Sequence, residues 1–210
     1  MQEYLKINQL AYDAIAQEFQ DKKQLRLEDS IRLAAEFEAA MPRAKGQSVL
    51  ELGPGSGDIS RLLQEADFKV TAIEFSPSMA SLALKTAPQV TMIVDEFLAH
   101  DFGSQRFNGI FGAAFIHLFT PEDAIRVVRK IHDLLEDDGV AHLSTTKHDV
   151  IWNGFAAKDN FEQTVSRYRV RYTPQTFRSL LETAGFRRIE YCERVEREAA
   201  RTWMQLVCYK

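Results

Sequence analysis

Apolar positions in this chain recur first at a helical spacing and then in short runs. Ile7, Ala11, Ala14, Ile15 and Phe19 share one face of a helix predicted over Tyr4 to Phe19. A second helix is expected from about Asp29 to Met41, opened by Asp29 or Ser30 and ended by Pro42 and Gly46. From Val49 onward apolar runs alternate with amphipathic segments, the pattern of a parallel sheet with helices on both faces. Strands are predicted near Ser48–Glu51, Lys69–Glu74, Val90–Val94, Gly109–Ala114, Val140–Thr145, Arg187–Glu193 and Trp203–Tyr209. Thr120 and Thr173 are N-cap residues, each followed by proline. The stripes behind them are Ile125, Val128, Ile131 and Leu135, then Phe177, Leu180, Leu181 and Ala184; Gly139 and Gly185 end the two units. The charged and aromatic insertion from Lys147 to Tyr172 is long enough to cover a site. The expected plan is a single domain: a helical cap (1–45), a cofactor-binding core (46–146), a substrate lid (147–172) and a C-terminal helix with strands (173–210).

The chemistry concentrates in Val49 to Asp58. Val49, Leu50 and Leu52 suit a buried strand, and Gly53, Gly55 and Gly57 let the chain turn sharply under a ligand. The run from Ile59 then starts a helix whose free N–H groups face that ligand. The next strand ends in Glu74, an acid placed to accept hydrogen bonds from two ribose hydroxyls. A nucleoside-bearing cofactor follows. A dinucleotide site wants G-x-G-x-x-G, but here the third glycine position is Asp58, which repels a pyrophosphate and weakens the case for an NAD-linked oxidoreductase. Glu51 and Asp58 instead suit a cationic, phosphate-free cofactor, and S-adenosylmethionine is one.

Glu51-Leu52-Gly53-Pro54-Gly55-Ser56-Gly57, followed by Ala72-Ile73-Glu74-Phe75-Ser76-Pro77-Ser78-Met79, resembles the first two signature segments of the Rossmann-like (class I) S-adenosylmethionine-dependent methyltransferases, small-molecule type. Phe107-Asn108-Gly109-Ile110 with Phe115-Ile116-His117-Leu118, Leu134 to Gly139, and Tyr172-Thr173-Pro174 with Leu181 to Phe186 look like later segments of that family. The chain departs from the pattern at Asn108, where the family usually has aspartate. The resemblance implies an α/β, Rossmann-like, seven-stranded, mostly parallel sheet with an N-terminal helical extension and an insertion after the fifth strand. It implies that S-adenosylmethionine is bound and S-adenosylhomocysteine released. Glu51 with the backbone of Gly53 and Gly55 would hold the amino-acid end, Gly57 would belong to the same cofactor-binding turn, and Glu74 would bind the ribose. Phe75 and Met79 would flank the adenine, and Phe115 would line the cofactor. Asp95 or Glu96, with the following N–H, would meet the adenine amino group, and the Glu96 pairing puts Phe97 near the ring. Tyr12 resembles a helix tyrosine that closes over the methionine carboxylate.

Methyl transfer from a sulfonium needs alignment and desolvation, and a base only where the acceptor must lose a proton. His117, just past the fourth strand, is the candidate base. His148, Trp152, Lys158, Arg167 and Arg169 are candidate acceptor-binding residues. Alternation puts Arg167, Arg169 and Arg171 on one face of an extended segment. Facing inward, they imply an acceptor with a carboxylate or phosphate; facing outward, they are a solvated face.

Composition narrows the partners. With 26 basic and 30 acidic residues the net charge is −4, which implies no general affinity for nucleic acid or membranes. There is no Asn-Pro-Pro-Tyr type motif for a flipped base. The expectation is a small-molecule acceptor, no metal, and a monomer or homodimer. No apolar run nears 18 residues and no charged-then-apolar leader is present, so a soluble, cytoplasmic protein is expected. Cys192 and Cys208 are expected as buried free thiols. A cofactor-binding protein without turnover would share the same motifs.

Overall fold

The computed structural model describes residues 2–22, 27–42, 47–158, 161–196 and 201–210. Two helices come first, α1 (Glu3–Asp21) and α2 (Leu27–Ala40). There follow β1 (Ser48–Leu52), α3 (Asp58–Glu65), β2 (Lys69–Glu74), α4 (Pro77–Thr86), β3 (Thr91–Val94) and β4 (Phe107–Ala113). The second half holds α5 (Pro121–Leu134), β5 (Leu135–Thr146), β6 (Trp152–Lys158), β7 (Val165–Arg171), α6 (Pro174–Glu182), β8 (Arg188–Glu196) and β9 (Arg201–Tyr209). Gly46, expected to end the second helix, lies outside the described residues.

The main sheet has seven strands in the order β3-β2-β1-β4-β5-β9-β8. Neighbours from β3 to β5 pair in parallel; β9 runs antiparallel to both β5 and β8. Strand alternation divides the core between the two faces. Leu50, Leu52 and Ile110 point to the side covered by α5 and α6, with Val127, Ile131, Phe177 and Leu181. Val49 and Phe111 point to the other side, toward Phe37 of α2 and Leu63 of α3. A strand buried on both faces reads as a continuous apolar run, which is why these strands were legible. The order reverses between β1 and β4, and a parallel sheet opens a crevice at its carboxyl edge at such a point.

One expectation gains detail and two need correction. The insertion is an antiparallel hairpin, β6–β7, whose strands form a separate two-stranded sheet. Its alternation was visible only around the arginines because β6 is largely exposed on both faces. Strand β5 starts at Leu135, not Val140, since the chain leaves α5 already extended and Leu135 pairs with Phe107; the exposed acids Glu136–Asp138 hide that start. Cys208 is buried, but Cys192 is exposed, because β8 is the sheet's edge strand.

Candidate active site

A cavity of about 500 Å³ opens at the carboxyl ends of β1, β2 and β4. Gly53 and Gly55 are on its wall, and the Gly53 N–H donates to the Ile73 carbonyl over 3.0 Å, tying the turn to β2. Gly57 has a different duty. A Cβ there would lie 2.6 Å from the Ala83 carbonyl oxygen, at φ +81°, so this glycine lets α3 start against α4 and does not line the cavity.

Buried acids stand behind and beside the turn. Glu51 is buried and does not line the cavity; it accepts a hydrogen bond from the Ser60 hydroxyl. Burial pushes its carboxyl up to about 7, and Asp58 and Glu74 add to the rise. Asp58 is also buried and accepts from the Ser56 hydroxyl at 2.6 Å. Glu74 is on the wall, where burial again pushes it up to about 7 against the Ser76 N–H it accepts at 2.9 Å.

Helix α1 closes this side. Asp13 accepts from the Ser76 hydroxyl at 2.6 Å and the Ser78 N–H at 3.1 Å, joining Ser76 in capping α4. Gln9 Nε2 donates to the Phe75 carbonyl at 2.6 Å. These bonds set the rings of Tyr12 and Phe75 edge to face, 6.3 Å apart, with Met79 buried beside them. Gln9 and Asp13 escaped the sequence reading; the available signal was their i, i+4 spacing next to the apolar face of α1.

The geometry separates Asp95 from Glu96. Glu96 is buried and its oxygens accept from the Leu98 N–H (2.7 Å) and the Ala99 N–H (3.0 Å), so it caps the turn it begins. Asp95 is exposed, on the cavity wall, and held by the Glu96 N–H (2.7 Å) and His100 Nδ1 (3.0 Å). Phe97 and Phe115 meet edge-on at 5.8 Å and both line the cavity.

The far wall is basic. His117 is buried, and burial, followed by the charges of Arg167 and Arg169, holds its imidazole well below the ordinary value. It is therefore neutral. Arg167 Nη1 lies 3.5 Å from Nε2 and can only donate, so Nε2 is the acceptor and Nδ1 carries the proton toward Thr145 Oγ1, 3.2 Å away. Arg167 also donates to the Tyr12 hydroxyl at 2.6 Å, and Arg169 Nη2 donates to Thr146 Oγ1 at 2.9 Å. The arginine face turns inward by degrees: Arg167 is buried, Arg169 half-buried, and Arg171 exposed with its guanidinium 4.9 Å from the Trp152 ring. Trp152 thus lines neither this cavity nor the next one, because it packs at the outer end of the hairpin opposite Arg171. A second, polar cavity of about 600 Å³ adjoins the first and shares Thr146, Lys158, Arg167, Arg169 and Arg201 with it. His148 lines the second, with Nε2 3.0 Å from Thr146 Oγ1. Among the described residues no His, Cys, Asp and Glu cluster could hold a metal ion, and no helix is long and apolar enough to cross a membrane.

Residues 49–139 match the family described as methyltransferase domain. An uncharacterised methyltransferase of Oceanobacillus iheyensis is 26% identical over 98 residues, 47% of this chain and 46% of that protein. One from Synechocystis is 26% identical over 146 residues, 67% of each chain. The alignment to the first thus spans about half of that relative's length. The Burkholderia thailandensis 1,6-didemethyltoxoflavin-N1-methyltransferase, solved with 1,6-didemethyltoxoflavin and S-adenosylhomocysteine, shares the fold: TM-score 0.78 and 20% identity over 99% of this chain and 89% of that one. The methyltransferase-domain match covers residues 49–139, the segment that holds the glycine turn and the acid-tipped second strand, and the whole chain shares its fold with the Burkholderia methyltransferase.

Proposed function

We propose that this protein moves a methyl group from S-adenosylmethionine to a small, anionic acceptor. The observation that carries the reading is Glu74, a buried carboxylate at the tip of β2 on the wall shared with Gly53 and Gly55, where two ribose hydroxyls would find their acceptor. The residues fit this cofactor better than a dinucleotide. Glu51 and Glu74, both pushed up to about 7, and the buried Asp58 make a corner that a cation relieves and a pyrophosphate worsens. Bound there, the cofactor supplies a sulfonium methyl group that leaves by in-line displacement, with S-adenosylhomocysteine as product.

Glu51 and the Gly53–Gly55 turn would hold the amino-acid end, Phe75 and Met79 the adenine faces, and Asp95 the adenine amino group. Asp95 is preferred to Glu96 because it is exposed on the cavity wall, whereas Glu96 is buried with its oxygens turned to the Leu98 and Ala99 N–H groups. Phe97 and Phe115 dry the pocket, which strengthens every electrostatic contact inside it. Helix α1 and the β6–β7 hairpin together act as the lid. His117, neutral, is the base for an acceptor that must lose a proton, once the acceptor draws Arg167 away from its Nε2 lone pair. Arg167 and Arg169 on the cavity wall support an anionic acceptor. A small-molecule acceptor also agrees with the ligand named for the Burkholderia structure.

Calorimetric titration with S-adenosylmethionine, S-adenosylhomocysteine and NADH tests the cofactor. The expected result is binding of the first two, lost in Glu74→Ala, and none for NADH. Binding of NADH alone would move the protein to the oxidoreductases.

A further inference from the structure

The polar cavity between β5, β7 and β9 is not accounted for by the cofactor. Its wall carries Arg167 and Arg169 with Lys147, Lys158 and Arg201, against the single acid Asp149. Lys147 and Arg201 have carboxylates of their own, Glu193 at 2.8 Å and Glu196 at 3.5 Å. Arg167 and Arg169 are different. Among the described residues neither is ion-paired with a carboxylate, and the Nε atom of each is buried without a hydrogen-bond partner. Arg167 is 92% buried by the measure of its 8% exposure. Leaving a charged donor buried and unused is costly, and such groups are retained where a ligand completes them.

Resting on the reading of the larger cavity as the cofactor site, we propose that this chamber binds a phosphate-type dianion carried by the methyl acceptor, with Arg167 and Arg169 as its two anchors. The acceptor class is therefore a small phosphomonoester. One guanidinium fork already satisfies both oxygens of a carboxylate. Two guanidiniums, two residues apart on β7 and so separated by roughly 7 Å along the strand, suit a tetrahedral group whose oxygens point in several directions. Arg167 also sets the direction of the acceptor. Its Nη1 reaches the Tyr12 hydroxyl and lies 3.5 Å from His117 Nε2, on the border between the two cavities. A phosphate held at Arg167 and Arg169 leaves the rest of the molecule to extend past His117 toward the cofactor. The same dianion offsets the two charges that, after burial, most disfavour a proton on His117. Binding of the acceptor thus makes that imidazole a better base.

Nitrogen-15 spectra of the arginine Nε–H groups, recorded on the whole protein with and without S-adenosylhomocysteine, test the proposal directly. Inorganic phosphate is the probe, with acetate and chloride at matched ionic strength as controls. The expected result is a saturable shift of the Arg167 and Arg169 resonances with phosphate and not with acetate or chloride, kept when S-adenosylhomocysteine is bound. Arg169→Gln should weaken phosphate binding at least tenfold; the spectra of the unaltered protein serve if that variant does not fold. No saturable shift, an equal response to acetate, or displacement of phosphate by S-adenosylhomocysteine would overturn the subsite. A phosphate shift in a protein that does not bind S-adenosylhomocysteine would keep the anion site and remove the cofactor reading.

Discussion

Arg167 donates to the phenolic oxygen of Tyr12 across 2.6 Å, joining residues 155 apart in the chain. One comes from the hairpin and the other from the first helix, so this bond fastens the hairpin to α1 beside a cavity that both residues line. Tyr12→Phe removes the acceptor and leaves the ring. The expected cost is about 1.5 kcal/mol, seen as a fall in Tm of roughly 3–6 °C. An unchanged melting curve would mean the hairpin is held to α1 elsewhere.

Cofactor affinity should depend on pH in a direction set by Glu74. Its carboxyl is raised to about 7 in the folded protein, so at pH 6 it is mostly protonated and has lost accepting capacity toward ribose hydroxyls. In the protein without ligand, the stability tied to this raised value is present below the unfolded value and lost as pH rises through 7. Binding works the other way. The rise in Tm produced by S-adenosylhomocysteine should grow from pH 6 to pH 8, and Glu74→Gln should flatten much of that growth.

Burial, and after it the charges of Arg167 and Arg169, lowers the imidazole of His117 well below its ordinary value. With an acceptor that must lose a proton, the rate should therefore stay level from pH 8 down to about 6.5 and fall only in more acid solution. His117→Asn should lower kcat roughly 10²- to 10⁴-fold. A loss confined to Tm, with kcat intact, would reduce His117 to a packing residue.

Glycine is required at 57 for a reason that position 103 does not share. Gly57→Ala drives a Cβ to 2.6 Å from a backbone oxygen, whereas Gly103, also at positive φ, has nothing within 4 Å of the added atom. Thermal melts should show Gly57→Ala losing more than about 3 kcal/mol, against roughly 1 kcal/mol of backbone strain for Gly103→Ala.

Asn8 is fully buried in α1 and spends its amide on three backbone groups. Nδ2 donates to the carbonyls of Leu118 and Tyr168, both at 3.2 Å, and Oδ1 accepts from the Tyr168 N–H at 2.7 Å. Asn8→Ala strands those groups and should cost roughly 3 kcal/mol. Faster amide exchange should appear first at Tyr168. Protection equal to the parent protein there would show that α1 does not secure the hairpin.

The chain's local pattern was sufficient for much of this protein. Period-two and period-3.6 burial, the Thr120 and Thr173 caps, and an acid at the end of β2 are properties of neighbouring residues, so the sheet, its helices and the cofactor-side candidates could be read directly. Tertiary structure decided what depends on residues far apart. Whether the arginines of β7 face in or out required a hairpin to pair and α1 to cover it. The duty of Gly57 was set by Ala83 on another helix. Cys192 is exposed on β8, the edge strand of the sheet among the described residues. Periodicity records which side of an element is apolar, but not what lies opposite it, and the basic wall of the cavity is built from such opposed surfaces.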